Sequence, residues 1–308
     1  MSSEPIAYLN GQWIPLSQAT IQLYDVGFIQ GVTVSEQLRT FAGKLYRLDQ
    51  HLDRLGRSLA IVGVEPRQSR AELIEICNEV VRRNHPLLAA GDDLGLAMLV
   101  TPGPTPSFTP ANVPHEPTVC IYSHPVSFHT FAKQFHSGQA LVTTPFQQVP
   151  NACWPVELKC RSRMHYYLAD RAAQKMEAGA RALMLDEHGH VTEASTANVV
   201  AFYAGEGLVS PPIESILPGI SVSALADIAL RLGIPFSSRV LTPDDLTQAD
   251  ELFLTSTSPC IIPCVRLNGR PIGKGIPGET FRRCIAAWSE QVGVDIVGQA
   301  EHFAKRVS

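Results

Sequence analysis

Apolar and polar positions alternate over short stretches and fall into helical spacing between them. Residues 6–9 form a short apolar run, Asn10-Gly11 carries a type I′ turn signal, and residues 12–15 return, which predicts a hairpin. A second pair is predicted at 35–40 and 44–47, around Ala42-Gly43. Leu52, Leu55 and Leu59 make an apolar stripe at helical spacing, with Asp49 as the expected cap. Residues 70–84 read as a second amphipathic helix, stopped by Pro86. The runs 94–101 and 118–123 read as strands flanking a proline-rich loop. The stretch 124–136, rich in His, Ser and aromatic residues, reads as a linker. Beyond it, strands are expected at 141–144, 182–186, 199–203, 207–209 and 250–255. Helices are expected at 163–178, 221–232 and 279–291, the middle one closed by Gly233. Leu267-Asn268-Gly269-Arg270 predicts another hairpin. This order predicts an α/β (α+β) chain of two domains, a smaller one over 1–123 and a larger one over 137–308.

Composition narrows the class. The chain has 308 residues, 45% hydrophobic and 18% charged, enough apolar content for a sizeable core and against a disordered chain. A formal net charge of −4 gives no electrostatic footprint for nucleic acid or an anionic membrane. No apolar run is long enough to span a bilayer, and Met1-Ser2-Ser3-Glu4-Pro5 lacks the features of a signal peptide. Seven scattered cysteines, an odd number without a CxxC, suit reduced thiols and a cytoplasmic protein. Cys260 and Cys264 have no second cluster to complete a metal site, so no metal is expected.

Several motifs invite chemistry. Gly273 to Gly278 matches G-x-G-x-x-G, but a hairpin precedes it and the chain soon ends, so dinucleotide binding is not expected. Of the 25 basic residues only six are lysines, and among them Lys159 has apolar neighbours in Trp154, Val156 and Leu158. Taken alone, a lysine is a surface cation; partly buried, it has a depressed pKa and serves as a nucleophile. Glu193, in Thr192-Glu193-Ala194-Ser195-Thr196-Ala197-Asn198, reads by itself as an exposed turn acid. Leu217-Pro218-Gly219-Ile220-Ser221 opens a helix whose N–H groups suit an anion, or carries a simple Ser cap. Thr255-Ser256-Thr257-Ser258 is a polar turn rich in donors, and Arg47 a cation after the second hairpin.

In this order and spacing, the residues resemble the fold type IV pyridoxal-phosphate enzymes. That family includes branched-chain aminotransferases, D-amino acid transaminases and aminodeoxychorismate lyase. The resemblance runs from Tyr8 to about Trp288, with the segment from Lys44 to Leu55 similar to one ending in His-hydrophobic-x-Arg-Leu. It implies a larger C-terminal pseudo-barrel domain and pyridoxal 5′-phosphate as cofactor. Lys159 would be the Schiff-base lysine, Glu193 the partner of the pyridine nitrogen, and Leu217 the residue against the ring. Arg47, Gly219, Ile220, Ser221 and Thr257 would hold the phosphate. A homodimer is implied, acting on an amino acid and a 2-oxo acid.

Departures from the family pattern lie on the substrate side, expected at Thr33, Ser35, Thr101, Met164, Tyr166 and Ser258. Ser35 stands where relatives carry an aromatic residue. Thr101-Pro102-Gly103 lacks the arginine that holds a carboxylate in D-amino acid transaminases. Met164 takes the place of a cofactor-contacting tyrosine, with Tyr166 and Tyr167 nearby. The leading expectation is an aminotransferase for branched-chain or similar apolar L-amino acids. The alternatives are a lyase giving 4-aminobenzoate and pyruvate, a D-amino acid transaminase, and a non-catalytic protein that kept the fold.

Overall fold

The computed structural model describes residues 4–306. The expectation resting on Met1, Ser2 and Ser3, and the outermost ends of both predicted domains, lie outside the described residues. Two compact units are present: one runs to Val126 and takes in Leu158–Ser162, while Ser127–Glu157 and the chain from Arg163 onward form the other.

In the first unit a six-stranded sheet has the order Gln12–Pro15, Ile6–Leu9, Thr118–Pro125, Leu94–Thr101, Val34–Phe41, Lys44–Leu45. Every pairing in it is antiparallel, so its segments join by hairpins and helical returns. Alternation sends Val34, Leu38, Leu96, Met98, Val100, Val119 and Ile121 to one face. Leu52, Leu55 and Leu59 of helix Leu48–Val62 cover that face, with Leu73, Ile76, Cys77, Val80 and Val81 of helix Arg70–Asn84. Asn10 and Gly11 take positive φ in the first hairpin, as a type I′ turn requires. The helix at 48 starts differently from the expectation. Arg47, in the left-handed region at φ 52°, occupies the cap position, and Asp49 falls in the first turn. Ser69 and Glu72 give the next helix a reciprocal capping box.

In the second unit six strands close on themselves. Their order is Val191–Ala194, Ala197–Tyr203, Glu251–Ser256, Cys260–Leu267, Gln139–Thr143, Arg181–Leu185 and back to Val191–Ala194. This is the barrel-like sheet that the resemblance implied. Gln139–Thr143 runs parallel to both of its neighbours, which demands a crossover to Arg181–Leu185. Helix Met164–Met176 supplies it, laying Ala169 and Ala173 on Ala140, Val142, Ala182 and Met184. Ile220–Arg231 and Glu279–Val292 are the other long helices of this unit among the described residues.

The stretch 124–136 differs from a linker. Residues 124 and 125 finish a strand, and the chain then folds as a 3-10 turn, Phe128–Thr130, and a short helix, Gln134–Ser137. Phe128, Phe131 and Phe135 are buried, with Phe128 stacked on Phe303 at 6.0 Å and Phe135 on Phe281 at 6.4 Å. Aromatic content that reads as loop composition is here a row of anchors. Phe128→Ala should therefore destabilise the protein by about 3–5 kcal/mol, the scale for emptying a buried aromatic site. Denaturant unfolding measures this, and a change below about 1 kcal/mol would be that of a surface residue.

Candidate active site

The first unit holds Lys159. Strand Val34–Phe41 leaves one edge open at its start, and residues 159–161 dock there. Cys160 bridges Val34, Ser35 N–H donates to the Lys159 carbonyl at 2.9 Å, and Arg161 N–H donates to the Thr33 carbonyl at 2.9 Å. Lys159 N–H donates to the buried Ser58 hydroxyl at 3.1 Å. Leu158 packs on the unit's apolar core. Lys159 is itself buried, at 8% exposure, so its side chain is not the solvated group that composition alone suggests.

Its surroundings are charged. Glu36, fully buried, takes two bonds from Arg54, Nε to Oε1 and Nη2 to Oε2, each 2.8 Å, and lies 2.7 Å from His51 Nδ1. Burial raises a carboxyl, yet the Arg54 bonds and charge, the His51 bond and the Lys159 charge outweigh it. Glu36 is thus held well below the usual carboxylate range. Burial, with the nearby Arg54 and Lys159 charges, outweighs the pull of Glu36 and keeps the His51 ring below its ordinary value. His51 and Arg54 stand in the His-hydrophobic-x-Arg-Leu segment, but sequence reasoning gave neither a role at the site. Their signal is two charge-bearing residues within the apolar stripe of Leu52 and Leu55.

Arg47 follows the second hairpin, as the sequence indicates. It sits at the helix cap, with its guanidinium 3.3 Å from Gln50 Oε1 and 5.4 Å from the Tyr46 ring centre. The buried arginine whose charge shares Glu36 with Lys159 is Arg54. Thr33, Ser35 and Thr101 are buried in this unit. Thr33 donates to the Gly27 carbonyl at 3.0 Å, and Thr101 accepts from Gly103 N–H at 3.0 Å. The Ser35 hydroxyl, at 1% exposure, has no hydrogen-bond partner.

The second unit holds Glu193, on strand Val191–Ala194 rather than in an exposed turn. Register places Glu193 opposite Asn198, and Asn198 opposite Thr255, one polar row across three strands. The Ser195-Thr196 turn makes that register. Thr196 takes φ 63°, a strained conformation for a β-branched residue, and Arg181 bonds its hydroxyl at 3.0 Å. Gln148 donates to Glu193 Oε1 at 2.6 Å, and the Tyr166 hydroxyl donates to the same oxygen. Oε2 receives longer contacts, 3.4 Å from Asn198 and 3.4 Å from Leu217 N–H. Burial pushes the Glu193 carboxyl up, with Tyr166, Leu217, Gln148 and Arg163 opposing. Burial and the adjacent carboxylate hold the Tyr166 phenol well above its ordinary range, so it remains a donor.

Asn198 also donates to the Leu217 carbonyl at 2.9 Å, fixing the approach to helix Ile220–Arg231. Gly219 is its cap; a Cβ there would lie 2.0 Å from Asn198 Oδ1, so a larger residue would have to displace the Asn198 side chain. Ser221 falls inside the helix, as does Ile220. Thr257 and Ser258 lie in the turn after strand Glu251–Ser256, half-buried. Thr255, within that strand, has a buried hydroxyl without a partner. Met164 is 69% exposed at the start of its helix and Tyr167 is exposed too, which leaves Tyr166 as the inward-facing aromatic.

Residues 33–267 match the family described as amino-transferase class IV. The chain belongs to the class IV aminotransferases. It is 29% identical over 284 residues to the D-alanine aminotransferase of Bacillus licheniformis, covering 92% of this chain and 95% of that one. It is 26% identical to the branched-chain-amino-acid aminotransferase of Salmonella typhimurium, covering 90% and 89%. The T.th. branched-chain amino acid aminotransferase solved with pyridoxamine 5′-phosphate superposes with a TM-score of 0.83 at 26% identity, covering 94% and 95%. The Escherichia coli branched-chain enzyme shares the fold at TM-score 0.84, 24% identity and 93% and 94% coverage. An aminotransferase with fold type IV architecture is thus established, and the relatives' names divide between D-alanine and branched-chain donors.

The Glu193 cluster sets a pH-dependent stability. A carboxyl raised by folding contributes stability below about pH 4.5 that is lost as pH rises through the folded value. The Tyr166 bond opposes that loss because it favours the anion. Tyr166→Phe should cost about 1.5–3 kcal/mol at pH 8, and less near pH 4.5. Paired unfolding curves at the two pH values check the sign.

Proposed function

We propose that this class IV aminotransferase uses pyridoxal 5′-phosphate to move an amino group from an amino acid to a 2-oxo acid. The observation that carries the reading is Lys159, a buried amine docked on a strand edge among Ser58, Glu36 and Arg54. Core packing does not require such groups.

The residues present suit the cofactor's chemistry. A pyridine N–H needs a buried acceptor, and Glu193 Oε2, with two long contacts, has capacity to spare. A phosphate suits the N–H groups at Ile220 and Ser221, where Gly219 supplies no competing cap, with Thr257 beside them in the reading. In the first unit Arg54 is a buried cation that shares Glu36 with Lys159, and it is proposed in place of Arg47 as the phosphate partner there. Leu217 would pack on the ring. When bound, the cofactor supplies an aldehyde carbon for the amine and an electron-withdrawing ring. Lys159 Nζ would be the amine that holds the cofactor and, when free of it, the base for the proton at the substrate Cα. Glu193, through Tyr166 and Gln148, stays fixed as the acceptor for a ring N–H.

Branched-chain or similar apolar L-amino acids are the favoured donors. Support comes from Thr101-Pro102-Gly103, which offers no guanidinium, and from a Thr33–Ser35–Thr101 group without charge. In the second unit the residues proposed for the substrate side are Tyr166, Ser258 and the exposed Met164. A homodimer and a cytoplasmic setting go with this reading.

A screen of L- and D-amino donors, followed by the cofactor's visible absorbance, tests it. The expected result is interconversion of the two cofactor forms by apolar L-donors. Response to D-alanine alone would reverse the handedness, and no response to any donor would end the reading. Lys159→Ala should abolish turnover and borohydride trapping. Single replacements of Lys44, Lys133, Lys175, Lys274 and Lys305 should preserve both.

A further inference from the structure

Helix Leu48–Val62 carries a polar stripe inside its apolar face: His51, Arg54 and Ser58, all buried and spaced so that they share one side. A serine in a helix interior weakens the helix, and burying its hydroxyl adds a desolvation cost. Leu52, Leu55 and Leu59 already fill the contact with the sheet, so packing gives no reason for Ser58. Its Oγ does one thing in this structure, accepting the Lys159 N–H at 3.1 Å.

The other bonds that hold the docked segment differ in kind. Ser35 to Lys159 and Arg161 to Thr33 are backbone pairs, which any sequence can make. Ser162 Oγ donates to the Gly31 carbonyl at 2.6 Å, three residues beyond the lysine. Ser58 is thus the side chain that another element sends to the main chain of Lys159 itself. Its neighbours on the stripe, His51 and Arg54, hold Glu36.

We propose that Ser58 is a positioning residue for Lys159, fixing the lysine's main chain from the middle of the helix. This rests on the reading of Lys159 as the residue that joins the cofactor. Without the hydroxyl, the Lys159 N–H loses its 3.1 Å bond to this helix, and the segment shifts or opens. The amine then starts each reaction from a distribution of positions, which lowers kcat more than it changes KM.

Two measurements decide it. In the cofactor-free protein, amide exchange at Lys159 should speed up by on the order of 10-fold in Ser58→Ala, as expected for losing one buried bond. In the holoenzyme, kcat should fall on the order of 10- to 100-fold, with KM for the amino donor within about threefold. Ser58→Cys, of similar size and a weak acceptor, should recover part of both effects and provides a folded variant if alanine is not tolerated. Leu59→Ala serves as control, since it loosens the same helix without touching Lys159. It should lower Tm and leave Lys159 exchange and kcat near wild type. The proposal is overturned if Ser58→Ala matches wild type in Lys159 exchange. It is also overturned if its kcat loss merely tracks Tm, as Leu59→Ala would reveal. Absence of borohydride trapping at Lys159 in the wild type would instead defeat the functional reading, while the exchange result would still report on the clamp.

Discussion

Burying an ionisable group is costly unless fixed partners meet it where it sits, and this chain buries a lysine in one unit and a glutamate in the other. Each solution is local. Around Lys159 the negative charge comes from Glu36, itself locked by Arg54 and His51. Around Glu193 the compensation is made of neutral donors, Tyr166, Gln148, Asn198 and a backbone N–H. The first arrangement keeps its carboxyl ionised, and the second leaves its carboxyl raised. Much of the secondary structure can be understood as holding these two sets of partners in register.

The strand pairings do most of that work. One row across three antiparallel strands brings Glu193, Asn198 and Thr255 to the same level. A slip of one residue would send the carboxylate to the opposite face. The strained Thr196 turn, pinned by Arg181, stands at the point where such a slip would start. In the first unit the same precision comes from an edge, where Lys159 takes up a place beside Ser35.

Periodicity and turn chemistry make the first unit legible: Asn10-Gly11, the leucine stripe and the run 70–84 all correspond to observed elements. The closed sheet is visible only through resemblance, because it needs Gln139–Thr143 to pair with Cys260–Leu267, far away in the sequence, and no local pattern encodes that pairing. Lys159 and Glu193 stand out by motif, whereas their environments do not. His51, Arg54 and Ser58 are far in sequence from the lysine they surround, and a polar residue in an apolar stripe reads as noise until the fold supplies its partner. Arg47 and Arg54 illustrate this. Resemblance points to the former, whereas burial makes the latter the arginine that shares Glu36 with Lys159. Phe128, Phe131 and Phe135 show the converse: composition resembling a linker conceals anchors.

The excursion of residues 158–162 governs how the molecule can be taken apart. A cut after Val126 would yield an N-terminal fragment with its own core but without its lysine, and a C-terminal fragment carrying that lysine with no strand edge to receive it. Neither piece is a module in the genetic sense. Shuffling, split-protein complementation or circular permutation of this chain would have to keep the five-residue graft in reach of its host strand. The loops entering and leaving that graft are consequently under a length constraint that neither unit's own packing would impose.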